Sequence, residues 1–182
     1  PAAGRGGGGR GAAQGGTGPI KVLFVSKYHP YDRENLALAF DAMGSDITWT
    51  HVEHPAAQNF YDPDLAAPYD VLLFYDAFAG RTFERQSDGV IANQENAPTP
   101  KMKRDFERLL KNGDKGLVFF HHSVASWAHT WPEYREVIGA TADWGKPLKN
   151  IRGKDYAASG ALPNVEQRIT VVNKTHPITA GV

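Results

Sequence analysis

Apolar and polar positions along the chain fall into short runs that switch between a strand period and a helix period. Ile20-Lys21-Val22-Leu23-Phe24-Val25-Ser26 is rich in β-branched and aromatic residues and predicts a first strand. Leu36, Ala39, Phe40 and Met43 then recur at helical spacing behind Asp32, a capping residue type, with Gly44 as the stop. Asp46 to Val52 alternates Ile47, Trp49, Thr50 and Val52 imperfectly and predicts a second strand. Leu65 to Tyr69 leads into a third, Asp70-Val71-Leu72-Leu73-Phe74-Tyr75.

From Asp76 to Pro98 no period survives, and Gly, Asn, Gln and Asp dominate. A loop of that length in a compact domain is usually functional. Thr99, or the Pro98/Pro100 pair, opens a helix whose face is Met102, Phe106, Leu109 and Leu110, and Asn112-Gly113 ends it. A fourth strand follows, Gly116-Leu117-Val118-Phe119-Phe120, running straight into His121-His122-Ser123. Its unbroken apolar character predicts cover on both faces. Trp131-Pro132-Glu133-Tyr134 opens a short helix to Ile138, and Val165 to Asn173 reads as a later strand, antiparallel or at an edge.

This alternation predicts an α/β fold with a doubly wound, mainly parallel sheet between two helical layers. Such sheets bind ligands beyond the carboxyl ends of their strands, so the imidazoles and hydroxyl after the fourth strand mark the expected site.

Composition narrows the chemistry. The 182 residues are 41% hydrophobic, and 20 Lys and Arg balance 20 Asp and Glu. One sizeable core is expected, and no general affinity for nucleic acid or for anionic membranes. No apolar run reaches the roughly 20 residues that span a bilayer. The chain has no cysteine, which excludes disulfides, thiolate nucleophiles and cysteine metal sites. Residues 1–18, mostly Gly and Ala with Arg5 and Arg10, bury too little to order and predict a flexible tail, leaving 19–182 as the domain. The chain begins at Pro1, as an exported protein without its leader does, so an extracytoplasmic location, periplasmic or secreted, is expected.

Several segments, in order, resemble a known family: Lys21-Val22-Leu23-Phe24-Val25, Tyr69-Asp70-Val71-Leu72, Gly116 to Ser123, Trp131-Pro132-Glu133-Tyr134 with Ile138-Gly139, and His176-Pro177-Ile178-Thr179-Ala180-Gly181. The chain resembles the ThuA-like (trehalose utilisation) family, within the class I glutamine amidotransferase-like superfamily. The resemblance runs from Ile20 to Val182. It implies a flavodoxin-like fold, a link to glucosides and their keto derivatives, and a domain that continues past the His-Pro-Ile-Thr motif. In that superfamily the turn after the fourth strand carries a cysteine. Here it is His121-His122-Ser123, so thiolate-based glutamine hydrolysis is excluded.

Among the candidates for acid/base work, His122 ranks first, because an imidazole can move protons near neutral pH. His121 should alternate to the opposite, buried side. Strands one and four are expected to be neighbours in this sheet, so His29, after the first strand, can converge with His122, and Asp76 can orient a histidine. Ser123 is a candidate nucleophile, although the Gly-x-Ser-x-Gly frame is missing and a capping or ligand-positioning role suits it better. Tyr28, Trp127, Trp131, Glu133, Tyr134 and His176 are the candidate substrate contacts, the aromatic ones as faces for a sugar. His129 fits the cleft rim, while His51 and His54 read as solvated or loop-bonded. The leading expectation is a domain that binds or transforms a small carbohydrate with no evident cofactor. A non-catalytic binding module is the alternative. A hydrolase using a divalent metal on His29, His122 and His176 is a third, with no motif spacing behind it.

Overall fold

The computed structural model describes residues 14–27, 31–85, 91–162 and 165–180. In chain order the elements are β1 (Gln14–Gly16), β2 (Ile20–Lys27), α1 (Arg33–Asp41), β3 (Ile47–Glu53), a 3-10 turn (Ala56–Tyr61), α2 (Pro63–Ala66) and β4 (Val71–Asp76). A hairpin of β5 (Arg81–Arg85) and β6 (Ile91–Glu95) follows, then α3 (Pro100–Asn112), β7 (Gly116–Phe119), a second 3-10 turn (His121–Ala125), α4 (Pro132–Ile138), β8 (Leu148–Ile151) and β9 (Lys154–Tyr156).

The main sheet has the order β1-β3-β2-β4-β7, with β3, β2, β4 and β7 parallel and β1 antiparallel at the β3 edge. This is the doubly wound α/β arrangement of flavodoxin-like folds. Side chains alternate across it, as the pleat requires. Val22, Phe24, Trp49 and Leu73 pack with Phe40 of α1 on one face. Leu23, Val25, Leu72 and Phe74 pack on the other with Tyr61, Phe106 and Leu109 of the 3-10 turn and α3, and with Trp131 and Tyr134 at α4.

The helix signals work as capping chemistry dictates. Asp32 accepts the Asn35 N–H at 2.9 Å, and Thr99 accepts the Met102 N–H at 3.2 Å ahead of Pro100. Gly113 and Gly139 close α3 and α4 in the left-handed region that favours glycine. The first helix nevertheless ends at Asp41, short of Gly44.

Four expectations need correction. Gln14–Gly16, placed in the tail, pairs with Thr48–Thr50 as β1, while residues 1–13 lie outside the described ones. The long aperiodic segment holds the β5–β6 hairpin. The fourth strand is only partly covered, with Val118 36% and Phe120 41% exposed, because it is the edge of the sheet. Residues 165–173 form no strand, and Ile169 and Val172 stand exposed with no sheet partner. Among the described residues no helix is long and apolar enough to cross a membrane.

Candidate functional site

The parallel part of the sheet begins with β2, adds β3 on one side and then β4 on the other, so the topological switch point lies between β2 and β4. At their carboxyl ends Lys27 stands opposite Asp76. This order also puts β4 between β2 and β7, which overturns the expected adjacency of strands one and four, and with it the premise for joining His29 to His122. His29 and Tyr28 lie outside the described residues.

Asp76 is fully buried at this point. Its Oδ2 lies 3.1 Å from the Ser126 hydroxyl and 3.3 Å from Nε2 of His54, whose side chain is equally buried. Asp76 therefore does meet a histidine, but it is His54, which the sequence reads as solvated or loop-bonded. Strand pleating explains it. His51 and His54 are three residues apart, so they face opposite sides of the sheet. His51 goes to the α1 side, its Nε2 2.7 Å from Ser26 Oγ and its ring stacked on Phe24, while His54 goes under the carboxyl edge. Burial lowers the His51 pKa, with Glu53 opposing and Arg33 adding to the shift.

The Lys27 ammonium donates to the carbonyls of Ala79 at 3.0 Å and Arg81 at 2.6 Å. Burial lowers its pKa against the attraction of Asp76. Lys27, Pro55, Gln58, Thr82, Asn96 and Trp127 help line a cleft of about 280 Å³, with room for a small polar ligand.

A row of rings runs from the end of β4 through the turn after β7. His121 opens the turn after β7 with φ 50°, and its ring stacks on Tyr75 at 6.0 Å and meets His122 at 3.8 Å. His122 in turn lies 4.8 Å from Trp144, edge to face, and Trp144 meets Phe78 at 6.3 Å. Phe78 also has a positive φ, 57°. Left-handed backbone at residues other than glycine is held against a penalty of about 1–3 kcal/mol and concentrates at functional sites. His121 is the exposed member of the pair and His122 the half-buried one, which reverses the sequence-based ranking by exposure. The turn, not strand alternation, sets their directions.

The other expected site residues fall elsewhere. The Ser123 hydroxyl is buried, donates to the Phe74 carbonyl at 2.9 Å and accepts the Asp76 N–H at 3.2 Å. It clamps β7 to β4 in place of acting as nucleophile or cap. Trp127, Trp131 and Tyr134 are core residues around Tyr61 and Phe106, so Trp131 and Tyr134 offer no face to a sugar, and Trp127 only borders the cleft. Glu133 is exposed and sits 3.5 Å from Lys103 of α3. His176 is exposed, its Nδ1 accepting the Ile178 N–H within its own turn. Residues with no sequence signal take their place: Trp144 comes from an aperiodic polar stretch, and Tyr75 and Phe78 look like ordinary strand-end apolar positions.

A second polar cluster lies along the hairpin. Asp143, 1% exposed, accepts from His129 Nε2 at 3.0 Å and from the Arg81 guanidinium, which also lies 3.7 Å from Glu95. Burial alone would raise the Asp143 pKa. The N–H groups of Gly145 and Lys146, the charge of Arg81 and the His129 contact outweigh burial and hold it below the usual carboxylate range. A depressed carboxyl contributes stability that is present above its unfolded pKa and lost as pH falls through the folded one. Acid unfolding below about pH 4 should therefore be shallower in Asp143→Asn than in the parent protein, as followed by circular dichroism.

A flavodoxin-like α/β domain with its polar groups at the carboxyl edge is the class these features define. Residues 21–182 match the family model described as ThuA, trehalose utilisation, and the chain belongs to that family. No curated protein and no solved structure matches the chain.

Proposed function

We propose that the domain binds and transforms a small carbohydrate, a glucoside or keto-glucoside, at the carboxyl edge of the sheet by histidine acid/base chemistry. The observation that carries this reading is the row Tyr75–His121–His122–Trp144, which sets two imidazoles between aromatic rings at a strained turn. Aromatic faces cover sugar C–H surfaces, and an imidazole can take a proton from a hydroxyl, or from a carbon beside a carbonyl, and return it. His121 and His122 occupy the turn that carries the cysteine in the amidotransferase-like superfamily, to which we assign the fold. With no cysteine in the chain, proton transfer replaces thiolate attack. The cleft that Lys27 lines at the carboxyl end of β2 offers amide and hydroxyl groups from Gln58, Asn96, Thr82 and Thr99 for sugar hydroxyls.

Calorimetric titration of a keto-glucoside and its parent glucoside tests the reading. Saturable binding by the wild type, weakened at least tenfold in Trp144→Ala, is expected, since losing an aromatic contact removes about 1.4 kcal/mol or more. No binding of either sugar, or unchanged binding in Trp144→Ala, overturns it.

A further inference from the structure

We infer that Glu95, His129 and Asp143 form a binding site for a divalent transition-metal ion, with Arg81 as the cation that competes for it. One ligand atom from each lies within 4.8 Å of the others, so a small inward movement brings them to the spacing of donors about 2.0–2.2 Å from one ion. An imidazole nitrogen with two carboxylates and no sulfur suits zinc or manganese.

The cluster is more than a coincidence of charges, because each carboxylate is anchored through one oxygen and presents the other. Oε1 of Glu95 accepts the His129 N–H and the Thr130 hydroxyl, both at 3.1 Å, leaving Oε2 toward the centre. Oδ1 of Asp143 accepts the Gly145 N–H at 2.7 Å and the Lys146 N–H at 2.9 Å, leaving Oδ2 toward His129 and Arg81. Outer hydrogen bonds that fix ligand orientation in this way are the usual support of a metal centre. The Glu95 and Asp143 side chains are 10% and 1% exposed, whereas the His129 side chain keeps 25%, which gives an ion a way in.

Arg81 is the charge that offsets these carboxylates in the metal-free protein. Two carboxylates face a single guanidinium in a largely buried setting, which favours a second cation. A divalent ion takes the Oδ2 and Oε2 atoms that Arg81 now contacts, and the guanidinium keeps its place over the Phe78 ring, 4.1 Å from the centroid. Asp143 directly precedes Trp144, so the ion would sit next to the ring row. The inference does not depend on the sugar reading, since the metal is probed alone.

Purified protein stripped of metal is titrated with Zn²⁺ and with Mn²⁺, without sugar, by calorimetry, and metal content is measured after desalting. About one ion per chain is expected, with affinity at least tenfold weaker in His129→Ala and in Glu95→Gln, and unchanged in His121→Ala. Arg81→Gln should bind several-fold more tightly, a change opposite in direction to that of the ligand variants. In the wild type, ring signals of His129 should shift with added Zn²⁺, a readout that requires no variant to fold. Absence of saturable binding overturns the inference, as does binding indifferent to His129→Ala, or a folded Arg81→Gln with no gain in affinity.

Discussion

Asp76→Ala is expected to lower the unfolding free energy by about 3 kcal/mol, as read from urea denaturation at neutral pH. The carboxylate is fully buried and shared between the Ser126 hydroxyl and the His54 imidazole. Removing it leaves a cavity, takes the nearby carboxylate from the buried His54 imidazole and one acceptor from Ser126, and removes a countercharge from the half-buried Lys27. The backbone of the same residue is held separately, its N–H by Ser123 and its carbonyl by Ser126, so β4 and β7 stay joined. Asp76→Asn keeps the shape and an acceptor for Ser126, and should lose about 1 kcal/mol. Equal losses in the two variants would show that the charge, and not the shape and acceptor that asparagine keeps, is what the residue supplies.

His122→Gln is expected to reduce turnover of a keto-glucoside by about 10²–10³-fold while leaving its Kd within a few-fold of wild type. Glutamine keeps a polar planar group beside Trp144 but cannot carry a proton at neutral pH. His121→Gln tests the second imidazole, which stacks on Tyr75 at the exposed end of the row. A comparable loss there means that the two rings work as a pair. Unchanged turnover in both variants would show that neither imidazole carries the chemistry. Loss of binding in step with turnover would give the histidines a recognition role only.

Much of this arrangement was legible in the sequence, for physical reasons that can be traced residue by residue. The β2 and β4 runs are apolar on both faces because they are central, and they were recognised with boundaries shifted by a residue. Asp32, Thr99, Gly113 and Gly139 act locally, through caps and left-handed closures, so chain order alone reveals them. The polar turn after β7 is where the sequence places its candidate imidazoles, and in the fold His121 stacks there on Tyr75 and meets His122.

What escaped depends on packing between distant segments. His54 reads as polar in isolation, and only the meeting of β3 with β4 through β2 buries it against Asp76. Trp131 and Tyr134 sit beside the expected site in sequence, yet α4 turns them inward onto Tyr61 and Phe106. Trp144 lies in a segment with no period at all. Its role comes from chain geometry after α4, which no local signal encodes. Glu95, His129 and Asp143 are spread along the chain with no motif spacing, so their convergence becomes visible only once the hairpin is folded.

The most direct test of the central claim is a nuclear magnetic resonance titration of ¹⁵N-labelled protein with a keto-glucoside, followed at the indole N–H and imidazole signals. The chain has four tryptophans, and three of them, Trp49, Trp127 and Trp131, are buried; Trp131, which does not line the cleft, serves as the internal control. The account predicts saturable shifts at Trp144, His121 and His122, with Trp131, in the core on the other face of the sheet from Tyr75, unmoved. Shifts confined to other residues, or none at any sugar concentration, would contradict a carbohydrate site at the carboxyl edge of the sheet.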